Sequence, residues 1–147
     1  MLTCFDIADY FLSCCDSESG ELMSNLKIQK LVYYGQGFSL ALLNEALFKE
    51  NIEAWMYGPV IPKLYEKYKK YDQTPLPFSG LDKRKFTQEQ LDLLAEVYHV
   101  YGQFSAWKLK DMTYQEAPWR ETYIDGKEPV SIPIGLMKQF FLTRIVH

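Results

Sequence analysis

The chain has 147 residues, of which 48% are apolar, 16% aromatic and 24% charged, enough to bury about two-thirds of its unfolded surface without disulfide or metal staples. That balance excludes a disordered, collagen-like or low-complexity chain. With 16 Lys and Arg against 19 Asp and Glu the formal charge is -3, which argues against a dedicated nucleic-acid binder.

The first 26 residues carry five acids and no base, whereas residues 27–85 carry ten bases and six acids. Cys4, Cys14 and Cys15 form no CxxC pair and are odd in number, so neither a disulfide framework nor a zinc site is expected. A reducing, cytoplasmic setting fits them. No basic residue precedes Lys27, and the longest apolar run, Leu31 to Leu43, is broken by Gly35, Gln36 and Gly37. Neither a signal peptide nor a membrane span is expected, and the chain reads as one soluble domain over residues 1–147.

The first helix begins at Thr3, where Thr3-x-x-Asp6 has capping-box spacing, and carries Phe5, Ala8, Phe11, Leu12 and Cys15 as a stripe. It should end near Asp16, before the Ser/Gly cluster at 17–20. Ser24 caps a longer helix that is apolar on two sides: Ile28, Leu31, Val32, Gly35, Phe38 and Leu42 on one, Leu26, Tyr33 and Leu40 on the other. Such a helix belongs at the centre of its domain. Gly35 and Gly37 each cost about 1 kcal/mol of helix propensity, which is tolerable where another helix crosses closely.

Ala46-Leu-Phe48 and Ile52–Tyr57, separated by polar Lys49-Glu-Asn51, predict a hairpin. Alternation along the second strand puts Glu53, Trp55 and Tyr57 on one face and Ile52, Ala54 and Met56 on the other. Gly58-Pro59 should end that strand, with Pro59 and Pro62 in the first turn of a helix whose Val60, Leu64, Tyr68 and Tyr71 share a face. Lys63, Lys67, Lys69 and Lys70 form its solvated side. Residues 73–80 read as a surface loop.

Thr87-x-x-Gln90 is a second capping box, flanked by the staple pair Phe86 and Leu91. It opens a helix with Leu91, Leu94, Ala95, Tyr98 and Tyr101 inside and Gly102 at its end. Ser105 caps the next helix, through Trp107, Leu109 and Met112, which stops before Pro118. A loop through Asp125-Gly126 leads to a short strand at 129–132. Pro133 then opens a last helix bearing Ile134, Met137, Phe140, Phe141 and Ile145. The predicted class is mainly α, an α+β fold with several helices around a central one and a small sheet.

Catalytic signals are poor. The two histidines are His99, inside a helix, and His147, and no metal-ligand or phosphate-loop spacing occurs. A non-enzymatic protein without metal or cofactor is expected. The stretch Lys63–Tyr71 interleaves bases with aromatics, and the two helices around Gly102 have helix-turn-helix spacing. However, Tyr68 and Tyr71 continue a core stripe, and the Ser105 helix offers only Lys108 and Lys110 beside Asp111, so nucleic acid is disfavoured. What remains is a set of aromatic and polar residues at turns, the residue types that dominate protein-binding hot spots or, equally, plug the ends of a small core.

Leu26-Lys-Ile-Gln-Lys-Leu-Val-Tyr-Tyr-Gly-Gln-Gly37, followed by Phe48 and Ile52-Glu-Ala-Trp-Met-Tyr-Gly-Pro-Val60, resembles the SocA-like antitoxin, or Panacea, domain of phage-associated GepA-like proteins. The similarity continues through Tyr101-Gly102, Trp107-Lys-Leu109, Met112-Thr113, Glu116, Pro118-Trp119 and Ile132-Pro133. The resemblance implies a cytoplasmic, non-enzymatic antitoxin that neutralises a cognate toxin by direct contact, with a phage or mobile-element accessory interaction protein and a small DNA-binding regulator as alternatives. Self-association into a homo-oligomer is open. Tyr114 stands where the family usually has histidine, which bears against a role for imidazole there. The candidate partner-binding residues are Glu53, Trp55, Tyr57, Gly58 and Pro59, with Thr113, Tyr114, Pro118 and Trp119, and with Lys67 and Lys70 as a positive strip beside them.

Overall fold

The computed structural model describes residues 1–15, 23–72 and 74–145. The expected helix stop near Asp16, the Ser/Gly cluster at 17–20, Gln73 and His147 lie outside these described residues. Among the described residues the elements run α1 (Cys4–Ser13), α2 (Asn25–Leu42), β1 (Glu53–Trp55), β2 (Gly58–Val60), α3 (Pro62–Tyr68), α4 (Gln88–Tyr101), α5 (Ala106–Tyr114), α6 (Ala117–Arg120), β3 (Val130–Ser131) and α7 (Ile134–Leu142). Short 3-10 turns occupy Lys69–Tyr71 and Lys83–Lys85. The helix-dominated α+β class read from the sequence is the one observed.

Local capping starts the long helices where the sequence places them. Thr3 Oγ1 accepts from the Asp6 amide while Asp6 Oδ2 accepts from the Thr3 amide, at 3.2 and 2.9 Å. Thr87 and Gln90 repeat the arrangement, and Ser24 and Ser105 each accept from the amide three residues on. Each such cap is worth about 1 kcal/mol.

Helix α2 is the axis of the fold, packed by α1, α3, α4, α5, α7 and β2. Ile28, Leu31, Val32, Tyr33 and Tyr34 are fully buried. Its glycines sit where neighbours come closest. An alanine Cβ at Gly35 would lie 3.1 Å from Leu94 Cδ2 on α4, whereas at Gly37 it would lie 2.5 Å from Phe141 Cζ on α7, and closer still to two other atoms of that ring. The Leu94 methyl is the end of a flexible side chain, so its small retreat offsets the helix propensity that alanine gains. Gly35→Ala should therefore change stability by no more than about 0.5 kcal/mol in a urea titration.

The buried polar residues of α2 act as clamps on the chain that follows it. Gln36 Oε1 accepts from the Leu47 amide and its Nε2 donates to the Phe48 carbonyl, at 2.7 and 2.9 Å. Ser39 Oγ donates to the Glu45 carbonyl. Gln29 Oε1 accepts from the Ile61 amide and its Nε2 donates to Asn25. Among the described residues no buried side-chain nitrogen or oxygen lacks a partner.

These clamps correct the predicted hairpin. Residues 46–48 are not a strand, because the Gln36 side chain takes the backbone groups that a strand partner would have taken. Instead β1 pairs antiparallel with β2, Trp55 opposite Gly58 and Glu53 opposite Val60, across a turn at Met56-Tyr57. Pro59 thus lies in a strand rather than in the next helix, as an outer strand tolerates, and Val60 goes with it. Pro62 does open α3. On the other side of β1, β3 pairs with Glu53 and Ala54, giving the order β2-β1-β3.

Helix α4 turns a slightly different face inward from the one expected. Leu93, Leu94 and Val97 are buried and Ala95 is exposed, while Leu91, Tyr98 and Tyr101 are half-buried at the edge. Leu94 meets α2 at Gly35, and Tyr101 reaches that helix by stacking on Tyr34 at 4.1 Å. On α7, Met137 and Phe141 are buried while Ile134 is exposed. Phe141 lies among the rings of Tyr33, Tyr34 and Phe38.

Candidate functional site

The turn Met56-Tyr57 is held over α2 and α5. Gly58 has φ +105°, and a Cβ on it would meet Lys30 Cε and Thr113 Oγ1, each at 2.8 Å. Only glycine meets both demands cheaply, the left-handed backbone and the close approach. Lys30 is fully buried, and its Nζ donates to the Pro59 carbonyl at 3.1 Å. A lysine in the middle of the central helix thus fixes the second strand of the hairpin.

The end of α5 and the segment after it hold the first strand and its turn. Tyr114 Oη donates to the Met56 carbonyl and Trp119 Nε1 to the Trp55 carbonyl, both at 2.7 Å. The Trp119 ring lies between those of Tyr114 and Tyr123, at 4.5 and 4.6 Å. Pro118 is buried at the start of α6. Thr113 is buried, and its hydroxyl donates to the Lys110 carbonyl. Trp55 packs on Tyr65 and its Nε1 donates to Glu53. The two motifs, distant in sequence, therefore form one structure around the hairpin.

What that structure displays is mostly at the turn. Met56 and Tyr57 are 57% and 53% exposed, and Trp107, at the start of α5, is 57% exposed. The Tyr57 and Trp107 rings meet edge to face at 6.4 Å. Beneath them runs the Lys110 side chain, its Nζ 4.3 Å from the centre of the Trp107 ring, 5.4 Å from Tyr114 and 5.8 Å from Tyr57. Such cation–π placements stabilise a partly desolvated ammonium by about 1 kcal/mol each.

Lys67 and Lys70 lie elsewhere. Lys67 sits over the rings of Phe5 and Tyr68, and Lys70 over Tyr71. Both line a hollow of about 260 Å³ with Asp9, Pro77 and Ser79, facing α1, and no residue of the hairpin borders it. A second hollow of about 340 Å³ runs beside β1, between Trp55 and Tyr123 and the loop from Asp125 to Pro129.

Two titratable groups lie below the surface. Glu116 precedes α6, but its carboxylate turns inward and accepts from Tyr33 Oη at 3.0 Å and Tyr34 Oη at 2.7 Å. Burial pushes it up to about 7, against the smaller opposing pull of the two hydroxyls and of Arg144. Burial also brings Lys30 down to about 7, helped by repulsion from Lys110.

Trp107, Lys110 and Lys30 were not among the expected site residues. Trp107 and Leu109 are two positions apart on a helix and so point in nearly opposite directions; only one of them could be core, and Leu109 is the one with no exposure. Lys30 carried a signal of its own, a lysine within the two-sided apolar pattern of α2.

Among the described residues no group of three or more His, Cys, Asp or Glu is placed to hold a metal, and no helix is long and apolar enough to cross a membrane. The fold and site define a helix-dominated α+β protein that displays an aromatic, lysine-bearing surface on a hydrogen-bonded hairpin. A family model described as antitoxin SocA-like, Panacea domain, matches residues 28–120, well over half of the chain, and the chain belongs to that family. The matched stretch takes in Lys30, the hairpin, Trp107, Lys110 and Trp119. Comparisons with curated proteins and with solved structures gave no match. Membership ties the chain to toxin–antitoxin biology, with a toxin as the general class of partner.

Proposed function

We propose that this chain, working as one domain in the cytoplasm, is a non-enzymatic antitoxin that neutralises its toxin by direct contact through the surface formed by Met56, Tyr57 and Trp107. The supporting observation is that two aromatic side chains, each more than half exposed, stand edge to face on a support whose own polar groups are satisfied. Large aromatic groups held in place offer contact area at little entropic cost, which is how binding hot spots are built. Trp55, Gly58, Pro59, Thr113, Pro118 and Trp119 serve by holding that surface, and Tyr114 both holds it and borders it. A DNA-reading α5 is less well supported, because its exposed side carries Trp107, Lys108 and Asp111 rather than a row of bases.

Co-expression with the adjacent reading frames is the test. One of them should arrest growth alone and be tolerated with this chain present, and Tyr57→Ala with Trp107→Ala should abolish the protection while leaving the protein at normal abundance. Protection that survives the double substitution would contradict the assigned surface.

A further inference from the structure

We infer that the partner presents a carboxylate to Lys110, from an Asp or Glu in a short acidic segment that also carries an aromatic or large aliphatic residue. This rests on the reading of the Tyr57 and Trp107 surface as the toxin contact and names the chemistry of what it contacts. Lys110 lies one helical turn beyond Trp107 on α5, and its side chain is only 15% exposed. Most of that side chain is therefore out of water, beneath the rings of Tyr57 and Trp107. Among the described residues the one carboxylate within ion-pair distance is that of Asp111, at 3.7 Å, and the Asp111 side chain is itself 67% exposed.

Behind Lys110 lies Lys30, close enough for the two ammonium groups to repel each other, and among the described residues it has no carboxylate in ion-pair contact. Among the described residues Asp111 is the one carboxylate opposing Lys110 there, and its exposure lets water screen it. The aromatic rings around Lys110 are neutral; they soften the cost of the buried charge without cancelling it. An incoming carboxylate would meet Lys110 between Tyr57 and Trp107, where the rings hold water back and strengthen the ion pair. The apolar neighbour of that carboxylate would cover Met56 and the exposed ring faces. A single cation walled by rings suits one carboxylate better than a run of phosphates, which calls for a row of bases.

The full chain can be panned against a displayed random peptide library. Enriched peptides should carry Asp or Glu next to an aromatic or aliphatic residue, and their affinity should fall at least tenfold with Lys110→Met, fall with added salt, and stay unchanged with Lys83→Ala. Methionine keeps the aliphatic stem beneath the rings, and a thermal melt of the variant reports its folding. Enriched peptides without acids that still need Tyr57 and Trp107 would overturn the carboxylate and leave the toxin-contact surface standing. Acidic peptides indifferent to Lys110→Met, no enrichment at all, or Lys110-dependent binding of short oligothymidylate in place of peptide would each overturn the inference.

Discussion

Gly37→Ala is expected to lower stability by about 3 kcal/mol, the upper end of the cost of overpacking a core, and the melting temperature by roughly 10 °C. The added methyl would enter the Phe141 ring, 2.5 Å from Cζ. That ring cannot withdraw, since Phe141 has no exposure and is bounded by Tyr33, Tyr34, Phe38 and Phe140. The roughly 1 kcal/mol of helix propensity gained by alanine is smaller than the clash. Adding Phe141→Leu to Gly37→Ala should recover part of the loss by vacating the space. A Gly37→Ala protein that melts with or above the parent would show that α7 does not seat against α2 at this point.

Stability should pass through a minimum near pH 7, the reverse of the usual dome. Glu116 is raised from 4.5 to about 7 when folded, so between those values the unfolded chain ionises while the folded one keeps its proton, and stability falls as pH rises. Lys30 is lowered from 10.5 to about 7, so above pH 7 the folded chain has already released the proton that the unfolded chain still holds, and stability climbs again. Each limb is worth on the order of 3 kcal/mol. The groups facing them do not reverse either trend: Tyr33 and Tyr34, both raised by burial, stay protonated in the folded state. At the extremes other groups take over. Asp6, held low by its bonds to Thr3 and Lys85 despite partial burial, loses its contribution as pH falls below 3.8, and the buried tyrosines favour unfolding above pH 10. Urea midpoints at pH 5, 7 and 9.5 would trace the curve. Glu116→Gln should flatten the acid limb and Lys30→Met the alkaline one. A maximum at pH 7 that neither substitution alters would contradict this assignment of the two groups.

Features set by local chemistry were legible in the sequence. Thr3, Ser24, Thr87 and Ser105 all cap the helices assigned to them, because a cap depends on residues three apart. The two-sided pattern of α2 marked it as central, and its glycines marked close crossings, although not which helix would cross. Features set by distant partners were not legible. Nothing near residue 47 announces that the Gln36 side chain will stand in for a strand, so the hairpin was paired with the wrong neighbour. Strict alternation put Tyr57 beside Trp55 on one face, but the chain turns at Met56-Tyr57, leaving Trp55 half-buried on Tyr65 and Tyr57 at the tip. The lysine near the aromatic surface proved to be Lys110, reached through the fold, while Lys67 and Lys70 border a different hollow.

The most direct test is a calorimetric titration of the toxin with the parent chain and with the Tyr57→Ala, Trp107→Ala double variant, each beside its own thermal melt. Truncating a hot-spot aromatic costs at least about 2 kcal/mol, or about thirtyfold in affinity, so the pair should weaken binding at least a hundredfold on the order of these values. Both side chains are more than half exposed, and what the fold loses with them is their contact with Lys110, about 1 kcal/mol for each ring, so the double variant should stay folded and melt within about 8 °C of the parent. A double variant that folds normally and binds the toxin with parental affinity would show that the antitoxin contact lies elsewhere on the molecule.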